Sequence, residues 1–109
     1  MIRKGDVVLI RKSDGVGHEQ KGTRPAIVVS NNICNKYSSV IEVVFITTKS
    51  KHNLPTHVSV TTHKMSTALC EAVYSIDKKR IIDTWGRIDK KTMREINKAL
   101  MISLELEVV

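Results

Sequence analysis

The segment Gly17-His18-Glu19-Gln20-Lys21-Gly22-Thr23-Arg24-Pro25-Ala26-Ile27-Val28-Val29 joins two unlike halves. Residues 17–24 are polar and carry two glycines, as a loop does; residues 25–29 are apolar throughout. A short unbroken apolar run after a turn-rich stretch reads as a strand buried on both faces. Proline has no N–H to give to a ladder, so Pro25 is expected at the start of that strand. Arg24 is then carried to the end of a rigid element by a glycine-containing loop.

The same reading extends outward. Upstream, Asp6-Val7-Val8-Leu9-Ile10-Arg11 forms a first strand, and residues 12–23 form a polar loop with turn residues at Asp14-Gly15 and Gly17. Downstream, residues 30–39 are polar, with Asn31, Asn32 and Asn35 expected as turn formers. Val40 to Thr47 is a third strand. Lys49 to Asn53 is a basic loop, and residues 56–60 alternate as a half-exposed strand does. Residues 66–75 hold one or two short strands. Residues 76–83 fit either a helical turn or an irregular strand, and residues 84–88 a last short strand.

The chain closes on a helix. Asp89 is a suitable N-cap. Met93, Ile96, Leu100 and Leu104 follow at helical spacing and make one apolar stripe. The expected architecture is mainly β with a C-terminal helix (α+β): one antiparallel sheet or small barrel, in a single domain spanning residues 1–109.

Composition narrows the function. Eighteen basic residues against eleven acidic ones give a net charge of +7, which draws a protein toward polyanions. No apolar run is long enough to span a bilayer, and residues 7–10 are too short for the core of a signal peptide. A cytoplasmic protein is expected, with nucleic acid or an acidic protein as partner. Cys34 and Cys70 fit no metal spacing and are expected as free thiols in a reducing compartment.

The usual catalytic motifs are missing. No His-x-Glu, Asp-x-Asp or Cys-x-x-Cys cluster supports a metal or other cofactor, and there is neither a phosphate-binding P-loop nor a Gly-x-Ser-x-Gly elbow. What remains is Arg, Thr, His, Glu and backbone amides. RNA cleavage can be run with those parts, because the RNA supplies its own 2′-hydroxyl nucleophile. Arg24 suits the developing phosphorane charge, since a guanidinium matches two phosphate oxygens at once. Thr47, at the end of the third strand, can add a neutral donor. Taken alone, each has a plainer reading: Arg24 as a surface partner of Glu19, and Thr47 as a β-former at a strand end.

Four histidines, His18, His52, His57 and His63, raise acid–base catalysis near neutral pH. Exposed surface histidines are the commoner case, and His18 stands out only because it shares a loop with Arg24. Lys49-Ser50-Lys51-His52, Lys78-Lys79-Arg80 and Lys90-Lys91 fit phosphate tracking, though charge runs are often only a solvated face. The four aromatic rings, Tyr37, Phe45, Tyr74 and Trp85, are few for a passive single-strand binder that stacks bases.

In this order the residues resemble the MazF/PemK family of toxin endoribonucleases. Arg3-Lys4-Gly5-Asp6-Val7 resembles its first-strand signature, and Gly17 to Pro25 its G-x-E-Q-x-G-x-R-P segment. Asn31, Asn35, Thr47, Leu54-Pro55-Thr56-His57-Val58 and Ile76-Asp77-Lys78 continue the likeness over nearly the whole chain. The resemblance implies a small SH3-like antiparallel barrel of the CcdB/PemK plasmid-maintenance-toxin type. It implies metal-independent, sequence-specific cleavage of single-stranded RNA, leaving a 2′,3′-cyclic phosphate and a 5′-hydroxyl. Arg24 and Thr47 are the catalytic pair it implies, Arg24 stabilising the transition state and a candidate to shuttle the proton, Thr47 its hydroxyl partner; Glu19, Gln20, Lys49, Lys51 and His57 would meet the RNA, with His18 a second-rank acid–base group. A two-fold homodimer and inhibition by an acidic MazE-like antitoxin follow from the same likeness. Three stretches depart from the pattern: Glu71-Ala72-Val73-Tyr74, the polar loop after the first strand, and residues 60–69, which are fewer than in many relatives.

Two other functions fit the composition. One is a toxin of the same fold that poisons DNA gyrase by protein binding, since fold alone does not separate the two. The other is a non-catalytic nucleic-acid-binding module.

Overall fold

The computed structural model describes residues 1–11, 22–49 and 53–106. In chain order the elements are β1 (Asp6–Arg11), β2 (Thr23–Val28), α1 (Asn32–Tyr37), β3 (Val40–Thr47), β4 (His57–Thr61), β5 (Met65–Leu69), β6 (Tyr74–Asp77), a 3-10 turn (Lys78–Arg80), β7 (Ile81–Arg87) and α2 (Lys90–Ser103). The strands form one sheet in the order β4-β5-β3-β2-β1-β7, with β6 paired to β3. Every pairing is antiparallel.

β3 organises the sheet. Residues 43–45 pair with β2, residues 40–43 with β6, and residues 46 and 47 with β5. Strand side chains alternate between faces, and here both faces are buried. One set, Val7, Ile27, Val44 and Ile46, packs with Val58, Val60, Ala68 and Cys70 and is covered by Ile96 and Ala99 of α2. The other, Val8, Ile10, Ala26, Val28, Ile41, Val43 and Phe45, closes around Ile76. Two buried faces are why β1, β2 and β3 read as near-continuous apolar runs rather than alternating ones.

The start of β1 is tied down by its own signature. Gly5 has a φ of +93°, a conformation that favours glycine. Its N–H donates to the Val28 carbonyl (2.8 Å) and its carbonyl accepts from Ile88 N–H (3.0 Å). Asp6 is buried; its carboxylate accepts from Arg3 N–H (2.8 Å) and from Arg87 Nε (3.1 Å). The Arg-Lys-Gly-Asp opening is thus a clasp joining β1, β2 and the segment that leads into α2.

Several expectations are refined. Residues 30–39 are not only turns: α1 forms because the Asn31 side chain accepts from Cys34 N–H (2.8 Å), satisfying a free amide of its first turn. Asn35 is buried, donating from Nδ2 to the Ser30 carbonyl (2.8 Å) and paired with the Ser30 hydroxyl. Asparagines that suit turns also suit caps. β2 begins two residues before Pro25, which faces Leu9 of β1; the ladder to β3 starts after it, at Ala26. Residues 76–83 are both a turn and a strand, since Lys78–Arg80 turns and β7 then runs from Ile81.

α2 is capped by Asp89, whose carboxylate accepts from Thr92 N–H (2.7 Å). Its stripe is shorter than the spacing predicts. Ile96 and Ala99 are buried and Met93 and Leu100 partly so, while Leu104 is the C-cap and is exposed. Full burial of an Ile96-sized side chain is worth roughly 2–3 kcal/mol, which makes it the main anchor of the helix.

Candidate active site

The pairing of β2 with β3 matches Ala26 to Phe45, Ile27 to Val44 and Val28 to Val43. The ladder ends at Ala26 and Phe45, and Arg24 and Thr47 each lie two residues beyond it. Because side chains alternate, both lie on the face of Ala26 and Phe45. They therefore stand at the open end of the second core, where the packed strands give way to a cavity.

That cavity has a volume of about 400 Å³. Arg24 and Thr47 line it together with Pro25, Ile46 and Thr48. The β4–β5 connection supplies Thr62, His63 and Lys64, with Ser66 beside them, and β7 supplies Trp85. Four separate stretches of chain thus meet around one space.

Arg24 is half-buried, and its guanidinium carbon lies 4.2 Å from the centroid of the Phe45 ring. Phe45 is in turn set edge-to-face with Tyr74, centroids 5.1 Å apart. A guanidinium held on an aromatic face is aimed before any ligand arrives. The Thr47 hydroxyl oxygen accepts from Lys49 N–H (3.1 Å). This short turn fixes the oxygen and leaves the hydroxyl proton to be donated. A planar fork of N–H donors and a neutral O–H donor beside one cavity form a receptor for phosphate oxygens.

The remaining expected residues divide. Lys49 is exposed, next to the cavity through its bond to Thr47, but does not line it. His57 stands elsewhere: it begins β4, and its Nε2 is 3.0 Å from Oε2 of Glu71. Glu71 also accepts from the Thr56 hydroxyl (3.3 Å). Burial pushes the Glu71 carboxyl up, but hydrogen bonds from its own backbone amide, His57 and Thr56 outweigh that and hold it below the ordinary carboxylate value. Arg80, within the basic run 78–80, donates from Nε and Nη2 to the Arg11 carbonyl (3.1 and 2.8 Å) and so secures the end of β1. His18, Glu19, Gln20 and Lys51 lie outside the described residues.

The cavity also holds His63, which the sequence offered only as one of four histidines, and Trp85, one of four aromatic rings. His63 packs edge-to-face on Trp85, with ring centroids 4.8 Å apart. His63 looks like an ordinary surface histidine, and Trp85 like one ring of a short strand. Their meeting depends on where the β4–β5 connection, one of the stretches that departs from the family pattern, ends up against β7. No motif spacing reports that. Among the described residues, no three His, Cys, Asp or Glu side chains cluster as a metal site. No described helix is long and apolar enough to cross a membrane.

Comparison with known proteins gives the family and the fold. Residues 3–104 match the family model of the PemK-like, MazF-like toxin of type II toxin–antitoxin systems. The Endoribonuclease MazF of Staphylococcus saprophyticus is 36% identical over 115 aligned positions, covering 100% of this chain and 96% of that protein. Among solved structures, a mycobacterial endoribonuclease in complex with its cognate antitoxin superposes with a TM-score of 0.83 at 23% identity, covering 100% of both chains. A MazE–MazF complex from Deinococcus radiodurans gives 0.84 at 23% identity over 97% of each chain. At that identity the two structures speak for the fold.

Proposed function

The chain belongs to the PemK-like, MazF-like toxins of type II toxin–antitoxin systems, and from that premise we propose that it is an endoribonuclease that cuts single-stranded RNA. The observation that carries this reading is the convergence of Arg24 and Thr47 on one cavity. The RNA 2′-oxygen attacks the adjacent phosphorus. Negative charge builds on the non-bridging oxygens, and the bond to the 5′-oxygen breaks. The products are a 2′,3′-cyclic phosphate and a 5′-hydroxyl end. Arg24 grips two of the charged oxygens, and Thr47 donates a third hydrogen bond that strengthens as the charge develops. No metal is required, and DNA, lacking the 2′-hydroxyl, is spared.

The +7 charge supports the choice of partners. Lys49 and Lys51, with Glu19 and Gln20, are assigned to RNA binding, making cleavage sequence-specific. His57 is held by Glu71 outside the cavity, so a contact from it would fall further along the strand. An acidic MazE-like antitoxin is the natural inhibitor of so basic a surface, folding as it wraps the toxin. We assign residues 1–109 to one domain acting in the cytoplasm as a homodimer.

The test is end mapping of RNA incubated with purified protein in excess chelator. Cyclic-phosphate ends at a preferred sequence, lost in Arg24→Ala, are the expected result. Intact RNA, or equal cutting by Arg24→Ala, defeats the reading. Gyrase-dependent DNA breakage with RNA untouched would replace it with the gyrase alternative.

A further inference from the structure

Cleavage by the 2′-oxygen moves two protons. One leaves the attacking hydroxyl, and one must reach the departing 5′-oxygen, whose alkoxide is a poor leaving group. The described cavity-lining residues that can carry charge are Arg24, His63 and Lys64. Guanidinium and ammonium groups hold their protons far above neutral pH and release them poorly at each turnover. Threonine and serine hydroxyls hold theirs more tightly still. Imidazole is the side chain that gives up and regains a proton near neutrality.

His63 is placed for this. It sits in the β4–β5 connection, is exposed to incoming ligand, and rests on Trp85 of β7. Two elements distant in sequence thus hold the ring at the cavity that Arg24 and Thr47 line from β2 and β3. The charged groups around it are Lys64, its neighbour in the turn, and Arg24 from β2. The lining residues of β3 and β7 are neutral, and Asp83 and Arg87 of β7 do not line the cavity.

Resting on the ribonuclease reading, we propose that His63 is the general acid of the reaction. Its imidazolium donates a proton to the 5′-oxygen as the P–O5′ bond breaks and the P–O2′ bond forms. The 2′-hydroxyl proton passes to water, and water reprotonates the imidazole before the next turnover. Nothing is oxidised or reduced, and the RNA gains no atom at the cyclic-phosphate stage.

The experiment uses two RNAs in single-turnover cleavage, one all-oxygen and one with sulfur at the 5′-bridging position of the cut. A thiolate leaves without a proton, so it has no need of a general acid. His63→Gln is expected to slow the all-oxygen RNA by about 100-fold or more, yet cut the sulfur RNA at close to the wild-type rate. It should also abolish the high-pH fall in wild-type rate, which reports loss of the acid form. Because His63 is exposed, the core is untouched by the change. Equal slowing of both RNAs, an unchanged rate, or loss of that pH limb in His18→Gln instead would overturn the assignment. A wild-type chain that cuts neither RNA would overturn the ribonuclease reading itself, and this assignment with it.

Discussion

Arg24 rests on Phe45, guanidinium carbon 4.2 Å from the ring centroid, and the two residues belong to neighbouring strands whose ladder ends at the Ala26–Phe45 pair. The ring that closes the second core therefore also aims the cation at the cavity. Phe45→Leu keeps an apolar side chain there and removes the aromatic face. A cation–π contact of this kind is worth about 0.5–2 kcal/mol, so RNA cleavage should fall by roughly 2- to 30-fold. Arg24→Lys keeps the charge but loses the fork, and should fall much further. Initial rates on a fluorogenic RNA measure both.

Thr47 offers a matched pair of substitutions. Thr47→Val preserves shape and removes the hydroxyl, and loss of one donor to a developing oxyanion costs about 100- to 1,000-fold in kcat. Thr47→Ser keeps the donor and should retain most activity. If Val and Ser variants were equally slow, methyl packing rather than hydrogen bonding would be the role of Thr47.

Acid sensitivity should report on Glu71. Its carboxyl is held below its ordinary value of 4.5 by the bonds that outweigh its burial. A depressed carboxyl stabilises the fold fully above the unfolded value, and that stability is lost as pH falls through the folded value. With 39% of the Glu71 side chain exposed, the contribution is small, below about 1 kcal/mol. Urea midpoints from pH 6 to pH 3 should fall less steeply for Glu71→Gln than for wild type. The lowered carboxyl of Asp89, held by Thr92, adds a second loss in the same direction as the cap of α2 is protonated.

The two thiols should differ sharply. Burial, with a smaller push from Glu71, raises Cys70 to about 12, whereas Cys34 is exposed on α1. Since the thiolate is the reactive form, an aromatic disulfide reagent at pH 8 should modify one thiol per folded chain. The second should react only after unfolding. Two fast thiols in the native protein would mean that the sheet around Cys70 opens readily.

Much of this was legible because periodicity and caps are local. The bounds of β1 and β3, the apolar core of β2 and the Asp89 cap of α2 follow from neighbouring residues alone. Arg24 and Thr47 could be named from residue chemistry and family likeness, but their meeting at one cavity depends on how β2 and β3 are set against each other. α1 was hidden because asparagines serve turns and caps alike, and only the Asn31–Cys34 bond decides between them. His63 and Trp85 were hidden for a stronger reason: their contact spans two segments that no spacing rule connects.

The cavity takes its walls from residues 24–25, 46–48, 62–64, 66 and 85, so no fragment of the chain carries it. A host escaping poisoning has correspondingly many routes. Survivors selected under induced expression should carry lesions not only at Arg24 but throughout the interior, at Val8, Ile27 or Ile96, wherever a substitution prevents the four stretches from meeting. The map of survivors would then outline the whole folded body, with the chemical centre visible only as those positions where the inactive protein still accumulates intact.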